Sequence, residues 1–311
     1  MCSTADNKVF IKSPAKINLH LEVIGKRKDN FHELAMIMQS IDLYDFLEIE
    51  LNNNNELFLT SDCKELAVNE DNLIIKAGLL LKNYSMNPKL GAIISLKKNI
   101  PIGAGLAGGS SNAAAALVGL NKLWNLNFDS NKLLKIAGEL GSDVPFCING
   151  GFQFCFGKGE QLEKHNFTSD YGLILIKNPN VSISTPGIYK KYSLKFCQGN
   201  SLDVNYINER RKFLRLNGIH FLNDIKKMSI RNDLQKIVIE ENKSVRNGLK
   251  ILTQLDDCLC SSMSGSGPSC FALFQSIDAA FNSHEKNKKK IKEAGYESWV
   301  CQFVKEGISI V

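Results

Sequence analysis

Apolar and polar residues alternate along the N-terminal part of the chain. The apolar members of the pattern are Ile17, Leu19, Leu21 and Val23. A period of two is that of a strand with one buried face, and it puts Lys16, Asn18 and His20 together on the polar face. We therefore expect Lys16 and Asn18 to line one cleft. Ser13-Pro14 is expected to separate this strand from an earlier one that begins at Val9.

The rest of the chain shows helical and strand patterns without an internal repeat. Apolar residues at helical spacing predict helices over residues 73–84, 113–124, 130–141, 232–252 and 277–294. Short apolar runs predict strands over residues 46–51, 91–96, 152–156, 173–176 and 299–304. We interpret residues 31–43 as an apolar connection, 261–273 as a loop followed by a strand, and the basic segment 206–228 as a helical insertion. This order of elements is typical of an α+β protein.

The length of the chain predicts two domains. A single hydrophobic core usually stops growing at about 250 to 300 residues, and this chain has 311. We place the boundary near residue 160, which gives domains of residues 1–160 and 161–311 that share a ligand cleft. Hydrophobic residues make up 44% and charged residues 23% of the chain, so the composition is that of a globular protein rather than a disordered or fibrous one.

Neither a membrane span nor a secretion signal is predicted. No apolar run approaches the roughly 18 residues that cross a bilayer, and the N-terminal residues are too few and too polar for a signal peptide. We therefore expect a cytoplasmic location and no binding to membranes. The formal net charge of +6 does not require nucleic acid as a partner, and it suits ligands that carry several phosphates. The nine cysteines have no zinc-site spacing, and we assign no metal-ligating side chain.

A glycine-rich stretch, residues 101–116, has the composition of an anion-binding loop. Its glycines stand at positions 103, 105, 108 and 109, and Ser110, Ser111 and a strong helix-forming run follow them. Glycines let the backbone approach a phosphate, and the start of a helix supplies unpaired N–H groups with a favourable dipole. The stretch lacks the Gly-Lys-Ser/Thr of a Walker loop, and its G-x-G-x-x-G alone is a weak match to the dinucleotide fingerprint, which must directly follow the first strand of a βαβ unit. By itself it fits a kinase, a dinucleotide enzyme or a structural turn.

Two further segments carry candidate chemistry. The serine-rich stretch, residues 261–269, fits either a clamp for phosphates or substrate, or a flexible hairpin loop. Asp143 follows a helix-ending glycine and precedes an apolar, strand-like segment. A lone aspartate at such a boundary is often a cap or turn residue, so a catalytic role depends on what else shares its site.

Six segments together resemble the GHMP kinases. They are SPAKINLHLEVIGKRKDNFHEL at 13–34, EDNLIIKAGLLL at 70–81, PIGAGLAGGSSNAAAALVGLNKLW at 101–124, GSDVPF at 141–146, SISTPGIY at 182–189 and MSGSGPSCFALF at 263–274. The resemblance implies a two-domain α+β fold, with an S5-domain-2-like N-terminal half, a ferredoxin-like C-terminal half and an ATP and substrate cleft between them. It also implies ATP with Mg²⁺ as cofactor and a monomer or homodimer that binds no nucleic acid.

The first and fourth of these segments narrow the implied activity. They imply transfer of the ATP γ-phosphate to the 2-hydroxyl of a cytidine-diphosphate-linked methylerythritol, in the non-mevalonate route to isoprenoid precursors. Lys16 and Asp143 match the family's catalytic pair, in which Asp143 orients or deprotonates the hydroxyl and Lys16 assists. The implied ATP-binding residues are Pro101, Gly103, Gly105, Leu106, Gly108, Gly109, Ser110, Ser111, Asn72 and Lys97. The implied substrate-binding residues are Asn18, Phe31, His32, Tyr189, Ser264, Gly265 and Gly267.

The chain departs from the family pattern at three positions, of which Phe31 is one of the implied substrate-binding residues. Phe31 stands where tyrosine is usual, which keeps a ring for stacking and loses a hydroxyl. Asn30 and Ala107 stand where glycine is usual. Asparagine tolerates the left-handed backbone region, whereas Ala107 adds a Cβ atom beside the expected phosphates.

Two alternatives remain at this point. One is another GHMP kinase, acting on homoserine, mevalonate or a sugar, and the other is a non-enzymatic RNA-binding module. An aromatic pair for a nucleobase has no purpose in a homoserine or mevalonate site, so Phe31, His32 and Tyr189 favour the cytidine-linked substrate. The combination of Lys16 with Asp143 argues against the RNA-binding module.

Overall fold

The structure, a computed structural model, describes residues 7–167, 169–197, 202–223 and 230–311, with residues 219–223 as backbone only. Its strands form two sheets. The first sheet contains β1 (Lys8–Lys26), β2 (His32–Leu51), β3 (Leu57–Ser61), β4 (Ala92–Lys97), β5 (Phe152–Gly157), β6 (Gln161–His165) and β11 (Ser309–Ile310). The second sheet contains β7 (Gly172–Lys177), β8 (Cys260–Met263), β9 (Cys270–Phe274) and β10 (Glu297–Gln302).

The helices accompany both sheets. They are α1 (Leu73–Ser85), α2 (Gly108–Leu123), α3 (Ser130–Leu140), α4 (Val144–Asn149), α5 (Thr185–Phe196), α6 (Val204–Asn223), α7 (Gln235–Glu241), α8 (Lys243–Thr253) and α9 (Ile277–Glu293). None of these helices, in the part of the chain that the structure describes, is both long and apolar enough to cross a membrane. Two mainly antiparallel sheets, accompanied by helices, confirm the α+β prediction.

The first sheet is built around β2. Its C-terminal half pairs with β4 and its N-terminal half pairs with β5, while β1 runs along its other edge, all antiparallel. The order is β11-β1-β2-β4-β3, and only β3 and β4 are parallel. The second sheet has the order β10-β7-β9-β8 and is antiparallel throughout. The division at residue 160 stays a prediction; β6 pairs with β5 in the first sheet, and β7 opens the second.

Two predictions about the N-terminal strands are wrong. Residues 31–43 are not a connection, because His32 begins the 20-residue strand β2. Ten consecutive residues of β2 are buried, so no alternation marks them as a strand. Pro14 does not end a strand either, since β1 continues through it with a register shift between Pro14 and Ala15, which accommodates a residue that has no N–H to donate.

Most of the helical predictions are confirmed to within a few residues, with three differences. The helix expected over 232–252 is two helices, which meet at Asn242, and its first residues precede α7. Helix α2 begins at Gly108 rather than at residue 113. The basic segment 206–228 is helical as far as Asn223, and its last residues lie outside the described ones.

Candidate active site

A cavity of about 1040 Å³ opens where the glycine-rich stretch meets β1, α5 and the serine-rich stretch. Its volume is at the upper end of the range for small-molecule sites, so it has room for two ligands. Five lysines line it against two aspartates; they are Lys16, Lys26, Lys98, Lys158 and Lys190, with Asp71 and Asp143. This excess of positive charge favours anionic ligands.

Lys16 and Asp143 meet at the wall of this cavity. The Nζ atom of Lys16 donates to Oδ1 of Asn18 over 2.6 Å and lies 3.5 Å from Oδ2 of Asp143. The Lys16 side chain is 5% exposed and that of Asp143 is 33% exposed. The predicted proximity of Lys16 and Asn18 is therefore confirmed, and the carboxylate that completes the group faces the open space.

The carboxylate of Asp143 has no capping role. Asp143 precedes α4, but its side chain makes no capping hydrogen bond. The expected strand-like segment after it is wrong, because residues 144–149 form α4, with Pro145 in the first turn, where proline is tolerated. A short helix whose first turn needs no side-chain cap thus leaves the carboxylate available to the cavity.

His20 does not join Lys16 and Asn18, contrary to the sequence prediction. The register of β1 against β2 shifts between Asn18 and His20, and a shift by one residue moves the following side chains to the opposite face. Leu21 therefore lines the cavity. His20 lies on the other side of the sheet, where its Nε2 is 3.7 Å from Oε2 of Glu22.

The start of α2 lines the cavity and is suited to an anion. Gly108, Gly109 and Ser110 line the cavity, and no acidic residue stands in the first turn. The first N–H groups of a helix have no intrahelical acceptor, and the helix dipole adds partial positive charge there. Ala107 precedes the helix with φ +54°, so this alanine adopts the left-handed conformation that a glycine would take without strain.

The two glycine-containing stretches contact each other directly. Ser264 donates its hydroxyl to the carbonyl oxygen of Gly105 over 3.0 Å. Gly105 has φ +74°, and a Cβ atom there would collide with the Ser264 carbonyl, so only glycine allows the approach. The amide of Asn232, which no sequence motif marked, holds the serine-rich stretch by donating to the carbonyls of Met263 and Gly265 over 2.7 and 2.8 Å.

Most of the implied ATP-binding residues line the cavity. Those that do so are Pro101, Gly103, Gly105, Gly108, Gly109, Ser110 and Asn72. Asn72 also caps α1, since its Oδ1 accepts from the Ile74 N–H over 2.9 Å. Leu106 is instead buried in the core, and the Ser111 hydroxyl is buried and donates to the carbonyl of Pro14 over 2.7 Å.

Lys97 is not brought to the cavity, and Lys98 takes the place expected of it. Strand β4 alternates buried and exposed residues and ends at Lys97, whose side chain lies on the outer face in a separate depression. Lys98 turns inward. Its Nζ donates to Asp45 over 2.6 Å and to the Ile100 carbonyl, and a Cβ atom on Gly108 would lie 3.1 Å from it. The end of the strand pattern at Lys97 is the only sequence signal for this inward turn.

An aromatic cluster also lines the cavity. The rings of His32 and Tyr189 are stacked, with centroids 5.1 Å apart and an interplanar angle of 28°. Phe31 is half exposed beside them, and the Lys158 ammonium lies 4.5 Å from its ring centroid. Asn30 has φ +66°, so the turn keeps the left-handed residue that the sequence predicts.

His32 presents an unused polar atom within this cluster. Burial, and then the charge of Lys26, lowers the pKa of the His32 imidazole, so the ring is neutral near pH 7 with one donor and one acceptor. Its Nε2 is buried and has no hydrogen-bond partner among the described residues. A buried polar atom without a partner is costly, which fits a ligand group that binds there.

As with the implied ATP-binding residues, most of the implied substrate-binding residues line the cavity, and one does not. Asn18, Gly265 and Gly267 line the cavity together with the aromatic cluster. Ser264 does not, because it is buried and bonded to Gly105. Ser266 lines the cavity instead, and its hydroxyl lies 2.6 Å from that of Thr185 at the start of α5. Gly265, Ser266 and Gly267 are thus the part of the serine-rich stretch that faces the cavity, and its role as a clamp stays a prediction.

Comparisons with known proteins agree with this geometry. The models of the GHMP kinases N terminal domain and the GHMP kinases C terminal domain match residues 72–151 and 216–299. A 4-diphosphocytidyl-2-C-methyl-D-erythritol kinase of Prochlorococcus marinus (strain MIT 9301) is 57% identical over 313 residues, covering 100% of both chains. The crystal structure of a 4-(cytidine 5'-diphospho)-2C-methyl-D-erythritol kinase is similar with a TM-score of 0.70 at 27% identity, covering 94% of this chain and 98% of that one.

The same fold occurs in kinases with other substrates. A homoserine kinase from Cytophaga hutchinsonii has a TM-score of 0.71 at 18% identity, covering 100% of this chain and 99% of the other. Its similarity concerns the fold alone, whereas the full-length relatives named above share the sequence as well. The prediction of an ATP-dependent small-molecule kinase is confirmed, and the chain belongs to the GHMP kinase family.

Proposed function

We propose that this kinase transfers the γ-phosphate of ATP to the 2-hydroxyl of 4-(cytidine 5'-diphospho)-2-C-methyl-D-erythritol, a step of the non-mevalonate route to isoprenoid precursors. The full-length relatives that carry the name of this kinase support the proposal. The observation that carries it is one cavity lined by two groups: Lys16 and Asp143 with the start of α2, and the stacked His32 and Tyr189.

The proposed ATP half uses backbone groups more than side chains. The phosphates bind to the N–H groups of Gly108, Gly109 and Ser110, where the helix dipole and the Lys98 ammonium favour negative charge. The nucleoside lies toward Asn72, whose segment lines the same part of the cavity. Ser264 and Gly105 tie the two stretches together, so the loop geometry exists before ATP binds, and little ordering is needed on binding.

The proposed substrate half recognises a nucleobase. Cytosine stacks against the rings of Phe31 and Tyr189 and offers its polar edge to Nε2 of the neutral His32 imidazole. Because that nitrogen is buried without a partner among the described residues, a base that supplies one removes a desolvation cost, and a substrate without a base does not. The cavity-lining lysines Lys26, Lys158 and Lys190 favour the diphosphate that follows the base.

The proposed chemistry needs orientation more than basicity. Asp143 accepts the hydrogen bond, and finally the proton, of the substrate's 2-hydroxyl, whose oxygen attacks the γ-phosphorus while the bond to the ADP oxygen breaks. Lys16, fixed by Asn18, stabilises the charge that develops on the transferred group. Since phosphoryl transfer passes through a loose transition state, an in-line position of the hydroxyl matters more than a strong base.

Mg²⁺ is proposed to accompany ATP. Such an ion binds proteins through one or two oxygen donors together with the phosphates of the substrate, and the Asp143 carboxylate and the Ser110 hydroxyl are donors of this kind that line the cavity. Bound there, the ion would neutralise charge on the phosphates. The predictions of a cytoplasmic location and of a monomer or homodimer stay predictions.

The proposal is tested by substrate-dependent release of ADP. The purified protein is assayed with ATP and Mg²⁺ and, in turn, the cytidine-diphosphate-linked methylerythritol, mevalonate, homoserine and galactose. We expect kcat/KM for the first to exceed that for the others by at least about 100-fold. Turnover of one of the other three substrates without turnover of the first would refute the proposed substrate while leaving the kinase assignment intact.

A further inference from the structure

Helix α6 covers the face of the first sheet that is turned away from the active-site cavity. Leu21, Leu34 and Met36 line the cavity, and their neighbours in the alternating pattern, Glu22 and Glu33 among them, point to the other side. The buried Leu214 of α6 joins the core cluster on that side. At Gly218 the helix approaches so closely that a Cβ atom would collide with the Phe154 ring.

Arginine–carboxylate pairs hold this helix in place. Arg210 binds Glu22 through two hydrogen bonds of 2.9 and 3.0 Å, and Arg215 binds Glu163 through two of 2.7 and 2.6 Å. Between them, Nη2 of Arg211 donates to Oε1 of Glu33 over 2.6 Å. Arg211 and Arg215 are four residues apart, as expected for one face of a helix, and Arg210 adjoins Arg211, so this face is basic rather than apolar.

The Arg211 contact differs from its neighbours because Glu33 is adjacent in sequence to His32, which lines the proposed base site. Glu33 follows His32 directly at the start of β2 and is 3% exposed. Its second oxygen, Oε2, accepts from Nη1 of Arg27 over 2.7 Å. Glu33 thus joins α6 on one side of the sheet to the turn that precedes β2 on the other.

Arg27 extends this connection to the turn itself. Its Nε donates to Asp29 over 3.2 Å, and Oδ1 of Asp29 accepts from the backbone N–H of Phe31, also over 3.2 Å. A continuous series of charge-assisted hydrogen bonds therefore runs from Arg211 through Glu33, Arg27 and Asp29 to Phe31. Such bonds are stronger and more directional than neutral ones.

We infer that Arg211 is a positioning residue for the nucleobase: from outside the cavity, it fixes through Glu33 the turn that presents Phe31 and His32. This inference rests on the proposed function. Removal of Arg211 leaves a buried carboxylate with Arg27 as its one remaining cation among the residues that the structure describes, and Arg27 must then satisfy Glu33 at the expense of Asp29. The aromatic cluster of the cavity loses its fixed geometry, whereas the start of α2, where ATP binds, is not touched.

The test compares Arg211→Ala with Arg215→Ala. Both remove an arginine of α6 that pairs with a carboxylate and lies over the Phe156 ring, but the partner of Arg215, Glu163, lies far from the turn in sequence and is 45% exposed. For Arg211→Ala we expect KM for the cytidine-linked substrate to rise about tenfold, with kcat and KM for ATP within about twofold of wild type. For Arg215→Ala we expect both KM values to stay within about twofold.

A second variant keeps the inference testable if Arg211→Ala does not fold. Glu33→Gln has almost the same shape, but it removes the charge and replaces one of the two accepting oxygens by an NH₂ donor, and we expect the same selective rise in KM. An unchanged KM for the cytidine-linked substrate, or an equal rise in both KM values, would overturn the inference and leave the proposed function standing. If the wild-type protein does not turn over this substrate, the proposed function itself fails, and the inference fails with it.

Discussion

The ammonium of Lys16 lies 3.5 Å from the carboxylate of Asp143, and the two residues reach this position from different elements. Lys16 stands in the middle of β1, whereas Asp143 stands immediately before α4. Asn18 fixes the lysine over 2.6 Å, and the aspartate makes no capping hydrogen bond, so its carboxylate remains available to a substrate hydroxyl. The pair therefore has the arrangement that the proposed proton transfer and charge stabilisation require.

Asp143→Asn and Lys16→Met test this pair. We expect each to lower kcat by about 10²- to 10⁴-fold, because each removes a group that acts on the reacting hydroxyl or on the transferred phosphate. KM for ATP should stay within a few-fold of wild type. Steady-state kinetics check both values, and Asp129→Asn serves as the control, since asparagine also caps α3 in place of Asp129. Near-normal kcat in both test variants would refute the proposed roles.

The lysines at the end of β4 give a second comparison. The Lys98 ammonium is buried against Asp45, and removing one partner of a buried ion pair typically costs about 3 to 5 kcal/mol. We expect Lys98→Met to lower the free energy of unfolding by roughly this amount and to raise KM for ATP. Lys97→Met should change neither, because its side chain lies on the outer face of the sheet. Denaturant unfolding measures the free energy of unfolding of both variants, and steady-state kinetics measure their KM for ATP. A raised KM for ATP in Lys97→Met would contradict this account.

The difference between these lysines illustrates what the sequence predicts and what it does not. The alternation in β1 brings Lys16 and Asn18 to one cleft, as predicted, because the strand is regular there. The same rule fails for His20, because the register of β1 against β2 shifts between Asn18 and His20. Such a shift is determined by the pairing with the partner strand. Lys97 and Lys98 are adjacent in sequence, but β4 ends between them, so that Lys97 lies on the outer face of the sheet and Lys98 lines the cavity.

Ala107 provides a test of backbone strain at the start of α2. An alanine with φ +54° costs about 1 to 2 kcal/mol relative to its preferred conformations, and glycine relieves this cost but gives the unfolded chain more freedom. We expect Ala107→Gly to leave the free energy of unfolding unchanged or to raise it by up to about 1 kcal/mol. Ala113→Gly, the same exchange inside α2, should lower it by about 1 kcal/mol or more. Equal losses in the two variants, measured by denaturant unfolding, would contradict the strain argument.

Helix α6 shows why periodicity alone does not assign a basic segment. The face that packs on the sheet carries Arg210, Arg211 and Arg215, with Leu214 as its buried apolar member. A pattern of hydrophobic residues cannot reveal such a face, because its partners are the carboxylates of Glu22, Glu33 and Glu163 on distant strands. A helical insertion was therefore predictable, but its docking was not.

Acid stability tests this docking. Burial raises the pKa of Glu22, but the nearby His20 and the arginines 210 and 231 outweigh burial and lower the pKa to about 2. A carboxyl group with a lowered pKa stabilises the folded state above its ordinary pKa of about 4.5 and loses that contribution as the pH falls toward 2. The shift corresponds to about 3 kcal/mol. We expect Glu22→Gln to be less stable at pH 7 and to lose less stability than wild type between pH 4.5 and 2.

The control for the acid experiment is Glu163→Gln. Its partner Arg215 lowers the pKa of Glu163, but both side chains are exposed to more than 40%, so solvent screens the pair and the effect on stability should stay below about 1 kcal/mol. Thermal unfolding between pH 7 and 2 compares the two variants. Parallel pH profiles for wild type and Glu22→Gln would show that Glu22 does not carry the acid sensitivity.

Identification of the phosphorylated hydroxyl tests the central claim most directly. In the proposed substrate, carbon 2 bears a methyl group and no hydrogen, whereas carbon 1 bears two hydrogens and carbon 3 bears one. A proton-coupled ³¹P spectrum of the reaction product should therefore show the new phosphate monoester as a singlet, beside the diphosphate signals. A triplet or a doublet would place the phosphate on the 1- or the 3-hydroxyl, and no new monoester signal would mean that this substrate is not phosphorylated; each of these results would contradict the account.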